Sequence, residues 1–110
     1  MFNVDDIGWI DFEVFGGSLD LKAAGTFRYA AAASTRAIIL AYALGGAPAQ
    51  TWHADGKILD WDQAPNDLCA FFEHGKTFAM WNASFDATIW NHSMLGSPYL
   101  PPERVIDVMV

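Results

Sequence analysis

Ile7-Gly8-Trp9-Ile10-Asp11-Phe12-Glu13-Val14 sets the reading of the chain. Apolar residues surround Asp11 and Glu13, the pattern of a strand. In a strand, residues two apart point to one face. Asp11 and Glu13 therefore present two carboxylates side by side, with Phe12 on the opposite face. Trp9, Ile10, Phe12, Val14 and Phe15 put this strand in the middle of a sheet. Two semi-buried carboxylates repel, and one takes up a proton unless a cation sits between them. Hard oxygen ligands select Mg²⁺ or Mn²⁺. The bland alternative is an edge strand with both acids in water.

Working outward, Gly16-Gly17-Ser18 breaks the strand. Ser18 or Asp20 caps a short helical turn through Leu21-Lys22-Ala23-Ala24, and Gly25 ends it. Arg36 to Leu44 reads as a second strand and Gln50 to Ala54 as a third. The short Gly45-Gly46-Ala47-Pro48 connection makes them antiparallel. Asn66 or Asp67 caps a helix running to His74, with Leu68, Phe71 and Phe72 on one side and Gly75 as its stop. Thr77 to Trp81 is a short apolar strand. A second helix starts at Asn82 or Ser84, runs through Phe85, Ile89, Trp90 and Met94, and ends at Gly96 and Pro98. Arg104 to Ile106 begins one more strand. Three strands followed by helix, strand, helix and strand is an α/β order.

The 110 residues suffice for one domain, and 53% hydrophobic with 15% aromatic residues describes a chain with a packed core. A net charge of −7 argues against gripping nucleic acid by charge alone. Carboxylates that hold divalent cations escape that objection, because the cations then meet the phosphate. Cys69 is the only cysteine, so no internal disulfide framework exists. Asp5 and Asp6 come early and no basic residue precedes Lys22, unlike a secretory signal. Without one, Asn82-Ala83-Ser84 and Asn91-His92-Ser93 are chance matches to the glycosylation pattern. Ala37 to Leu44 is too short to span a bilayer. His53, His74 and His92 lack zinc-site spacing. Most of Trp52, Trp61, Trp81 and Trp90 belong to the core, although each type can stack on bases.

Asn82-Ala83-Ser84-Phe85-Asp86 follows an apolar strand and opens a helix, so Asp86 lies in a first turn, where the dipole favours an anion. Read alone, Asn82 is a cap and Phe85 is core. Asp11-Phe12-Glu13 followed by Asn82…Phe85-Asp86 resembles the first and second motifs of the DEDD family of 3′→5′ exonucleases. The intervening Asp20-Leu21-Lys22, Gly25, Tyr29-Ala30, Ser34-Thr35 and Ala41-Tyr42-Ala43 resemble the opening of that domain in phage family-A DNA polymerases. The similarity covers residues 7–110.

The resemblance implies a ribonuclease H-like mixed sheet flanked by helices, incomplete at its C-terminus. It implies Asp11, Glu13 and Asp86 as catalytic metal ligands, with Asn82 and Phe85 lining the terminal nucleotide or supporting Asp86, and Asp107 as a supporting or helix-capping acid. Lys22 and Arg28 are candidates for phosphate contacts. The family's Thr after the Glu is Val14 here, leaving a backbone N–H for that contact. The implied cofactor is a pair of Mg²⁺ or Mn²⁺ ions, and the implied partner is a single-stranded DNA 3′ end. A polymerase domain in the same longer chain and a phage protein working in the bacterial cytoplasm are further implications. The third motif, a fourth carboxylate with a Tyr or His before it on a helix, is missing: Tyr99 precedes Glu103, but Pro101 and Pro102 lie between. This chain alone is therefore expected to have little or no activity. An oligoribonuclease-like RNA exonuclease, a non-catalytic ribonuclease H-like module, and an acidic α/β domain with chance motifs are the alternatives.

Overall fold

In a computed structural model of the chain, residues 3–15 and 35–108 are described. The expected turn through Leu21 and Ala24, with Lys22 and Arg28, lies outside them. The strands are β1 (Ile7–Phe15), β2 (Arg36–Leu44), β3 (Gln50–His53), β4 (Thr77–Met80) and β5 (Val105–Asp107). The helices are α1 (Asn66–Glu73) and α2 (Ala83–His92), and short 3-10 turns cover Val4–Asp6, Trp61–Gln63 and Pro102–Arg104. The expected α/β order holds, with element ends moved by a residue or two. No helix among the described residues is long and apolar enough to cross a membrane.

The five strands form one mixed sheet in the order β3-β2-β1-β4-β5. β1 runs antiparallel to β2 and parallel to β4, and β5 is parallel to β4. β1 is central, as its flanking apolar residues require. On it, Gly8, Ile10 and Phe12 are buried while Trp9, Asp11 and Glu13 are exposed. Both helices cover the buried face. Phe72 of α1 stacks on Trp90 of α2 with ring centroids 5.7 Å apart, and Trp90 also meets Phe78 and Trp61, each at 5.2 Å. The Trp90 indole N–H donates to the Pro98 carbonyl at 2.7 Å, so the largest buried side chain leaves no polar atom unpaired.

The cap of α1 differs from expectation. Pro65 holds that position with no side-chain bond, which makes Asn66 and Asp67 the first helical residues. Pro65 is already extended, at φ −57° and ψ 141°, and so ends the preceding segment itself. Asp67 is drawn across to the sheet. Its Oδ1 accepts from the Leu68 N–H at 2.8 Å and the Tyr42 hydroxyl at 3.1 Å, and its Oδ2 accepts from Gln50 at 3.0 Å. Burial, then the Asp67 hydrogen bond and charge, push the Tyr42 hydroxyl up to about 12. At the other end of α1, Gly75 takes φ +74°, as its role as a stop requires. Arg104 closes that end. Its guanidinium donates to the Phe72 carbonyl at 2.7 Å and the Lys76 carbonyl at 2.9 Å, and lies 4.3 Å from the Phe72 ring centre. The half-buried Cys69 thiol is pushed up by burial, with Glu73 and Asp67 adding to it.

Asn91 fixes the turn after α2. Its amide donates to the Leu100 carbonyl at 3.2 Å, and its oxygen accepts from the Leu100 N–H at 2.8 Å. Ser93, the other end of that apparent glycosylation triplet, is 1% exposed.

At Gly8 the side chain of Phe71 on α1 presses close on the sheet. A Cβ there would lie 2.9 Å from Phe71 Cε1, 3.1 Å from Leu44 Cδ2 and 3.2 Å from Phe78 Cδ1. Gly8→Val is expected to lower unfolding stability by about 1–3 kcal/mol through overpacking, measured by urea denaturation. An unchanged midpoint would mean that α1 does not press on β1.

Candidate functional site

Because β1, β4 and β5 are parallel, their carboxyl ends lie at one end of the sheet. The crevice outside such strand ends is where open α/β sheets bind ligands. β1 pairs with β4 only from Ile7↔Thr77 to Trp9↔Ala79, whereas its ladder with β2 continues to Phe15. Past Trp9 the two parallel strands part, and the chain turns into α2. The Asn82 side chain accepts from the Phe85 N–H at 3.4 Å and so caps α2, as expected.

This cap puts Asp86 in the first turn of α2, where it is only 4% exposed. The Phe12 backbone N–H, left without a strand partner, hydrogen-bonds to the Asp86 carboxylate. Burial, and secondarily the negative charge of Asp11, raise the Asp86 carboxyl from 3.8 to about 7, against the pull of the Phe12 bond. The helix brings together two acids that lie far apart in sequence.

The expected pair of semi-buried strand carboxylates is not what forms. Asp11 and Glu13 share a face, but both are exposed, because α1 and α2 cover the opposite side of β1. The buried acid is Asp86. Among the described residues, no three His, Cys, Asp or Glu side chains are grouped closely enough to hold a metal ion. The chemistry of the Asp11–Asp86 pair nonetheless suits a hard cation. A desolvated carboxyl that feels a second negative charge is eased by a proton or by a cation.

The other expected site residues are placed as follows. Phe85 is half-buried and packs against the core, and so does Val14, away from the carboxylate face. Lys22 lies outside the described residues. Asp107 is exposed at the end of β5, in register with Met80, and borders a groove of about 560 Å³ beside α2 with Ser84, Thr88 and Tyr99. Tyr99 precedes the Pro102–Arg104 3-10 turn and Glu103 lies within it, so the two do not share an α-helix.

Two exposed aromatics stand at the site: Trp9, read from the sequence only as a strand residue, and Trp81, one of the four tryptophans considered there for stacking on bases. Trp9 is 48% exposed and Trp81 66% exposed, and both line an open groove of about 440 Å³ with Asp11, Ala41 and Ala43. The signal for Trp9 was its parity with Asp11. Trp52, Trp61 and Trp90 do pack into or against the core, as expected. No family model, curated protein or solved structure matches the chain.

The elevated Asp86 carboxyl makes stability depend on pH. Its stabilising protonated form is fully present below about pH 4 and is lost as pH rises through about 7. The gap between 3.8 and about 7 corresponds to about 4 kcal/mol. In EDTA, the protein is expected to lose stability to urea between pH 5 and 8, and Asp86→Asn to flatten that profile. Parallel profiles for the two proteins would show that Asp86 is not desolvated.

Proposed function

We propose that this chain carries the first part of a metal-dependent 3′→5′ exonuclease domain with a ribonuclease H-like sheet, of the kind attached to phage family-A DNA polymerases. The observation that carries the reading is the buried Asp86 carboxyl, set beside Asp11 by α2 and held on the Phe12 N–H. The β3-β2-β1-β4-β5 order, with β2 antiparallel between β1 and β3, supports the ribonuclease H-like part of it. The proposed substrate is the single-stranded 3′ end of DNA, cleaved to nucleoside monophosphates. The setting that goes with this reading is a phage protein in the bacterial cytoplasm, joined to a polymerase domain.

Asp11, Glu13 and Asp86 would hold Mg²⁺ or Mn²⁺. When bound, such ions lower the pKa of a water and stabilise a leaving 3′ oxygen. The chain's own residues supply the positioning. Asn82 fixes where α2 begins, and therefore where Asp86 points. The Phe12 N–H orients the Asp86 carboxylate, and at neutral pH Asp86 holds a proton for part of the time. Phe85 and Val14 brace the two motifs against the core. With three of the family's four carboxylates in these 110 residues, hydrolysis by this chain alone is expected to be slow or undetectable.

The test is thermal melting at pH 8. Millimolar Mn²⁺ is expected to raise the Tm by several degrees, by selective binding to the folded chain. Asp11→Asn should remove most of that rise. 3′-labelled DNA and RNA oligomers, assayed in parallel, distinguish a DNA enzyme from an oligoribonuclease-like one. A Tm indifferent to Mn²⁺ in both proteins would overturn the metal reading and leave a non-catalytic ribonuclease H-like module.

A further inference from the structure

Four Lys and Arg side chains lie among the described residues: Arg36, Lys57, Lys76 and Arg104. Lys76 is paired with Asp6, and Arg104 is committed to the Phe72 and Lys76 carbonyls. The side chains of Arg36 and Lys57 make no hydrogen bond or ion pair among the described residues. Both border one groove of about 360 Å³, with Phe15 and Ile38. Two cations in one groove, neither with a carboxylate partner among the described residues, stand out on a chain with a net charge of −7.

The groove is built by the sheet. Arg36 sits directly across from Phe15 in the β1–β2 ladder. The register shifts beside it: Glu13 pairs with Ile39 and Val14 with Ala37, which leaves Ile38 as an extra residue on β2. Lys57 is held nearby from both sides of its loop. The Ala54 N–H donates to the Ile38 carbonyl and the Leu59 N–H to the Ala37 carbonyl, each at 2.8 Å. Phe15 is 56% exposed, an apolar ring left open beside two cations. Along β1, Phe15 continues the alternation of Asp11 and Glu13, roughly 7 Å beyond Glu13 at the usual strand rise.

Cations beside an open aromatic ring match a single nucleic-acid strand, with phosphates on the charges and a base on the ring. We propose that the groove of Phe15, Arg36 and Lys57 binds the sugar-phosphate backbone of single-stranded DNA a few nucleotides before its 3′ end. This rests on the exonuclease reading for its polarity: the strand would run from the cations, past Glu13, to Asp11 and Asp86. An acidic peptide would satisfy the cations but gain less from Phe15.

The experiment is binding of a fluorescein-labelled oligothymidylate by anisotropy, in EDTA, across a range of NaCl concentrations. Wild type is compared with Arg36→Gln/Lys57→Gln, with Lys57→Gln alone, and with Lys76→Gln as a control. Lys57 is exposed, so its single variant keeps the test open if the double variant unfolds. The double variant is expected to bind about tenfold more weakly, with a log–log salt slope shallower by about 1.4. Lys57→Gln should shift the slope by about half as much, and Lys76→Gln should bind like wild type. Undetectable wild-type binding, an unchanged slope in the double variant, or equal binding of polyglutamate would overturn the proposal. Because no metal is present, the two readings fail separately. An unchanged slope with an intact Mn²⁺ response in melting removes only the groove. A changed slope with no Mn²⁺ response removes only the metal site.

Discussion

The parting of β1 from β4 after Trp9 and Ala79 governs everything at the functional end of this molecule. Up to that point, β1 has a hydrogen-bonded neighbour on each side. Beyond it, β2 still holds one side, but the other side has backbone donors with no strand to receive them. A buried amide N–H left so would cost about 1–3 kcal/mol. Asp86 takes the one at Phe12. Asp11, one residue earlier, lies on the opposite face of β1, which the helices leave uncovered. The bond that closes the backbone defect thus also sets an acid in place.

The helical layer holds this end of the sheet rigid. Trp90 stands at its centre, against Phe72 of α1, Phe78 of β4 and Trp61 of the connecting turn. Edge-on and offset contacts between such rings add about 0.5–1.5 kcal/mol each to what burial alone provides. Arg104 ties the end of α1 to the start of β4 from outside, and desolvation holds its guanidinium below its ordinary value. α2 is therefore held in its last turn by Trp90 in the aromatic cluster and capped at its start by Asn82. Little freedom is left for Asp86 to move away from Asp11.

Much of this was legible in the sequence where the signal is local. Alternation in Ile7 to Val14 gave the face of every residue on β1, and Gly75 and Asn82 marked a helix end and a helix start. What needed three dimensions was burial. Asp11 and Glu13 were expected to be semi-buried because apolar residues flank them, but those neighbours face the helices and leave the acids in water. Asp86, read as a first-turn acid, is the one that the fold desolvates. Asp67 has good cap chemistry, yet Pro65 precedes it and Tyr42 and Gln50 compete for its oxygens. Arg104 gave no sequence signal at all, since its partners are backbone carbonyls about thirty residues away.

The five tryptophans divide into two optical populations. Trp52, Trp61 and Trp90 sit in or against the packed layer, where emission is blue-shifted and small quenchers penetrate slowly. Trp9 and Trp81 face water on the groove that holds Asp11. Their emission is redder, and a neutral quencher such as acrylamide reaches them first. Any molecule settling on that face changes this accessible fraction and leaves the inner one alone. The protein therefore carries, without labelling, a fluorophore pair that reports on occupancy beside its acids and an internal reference that reports on folding.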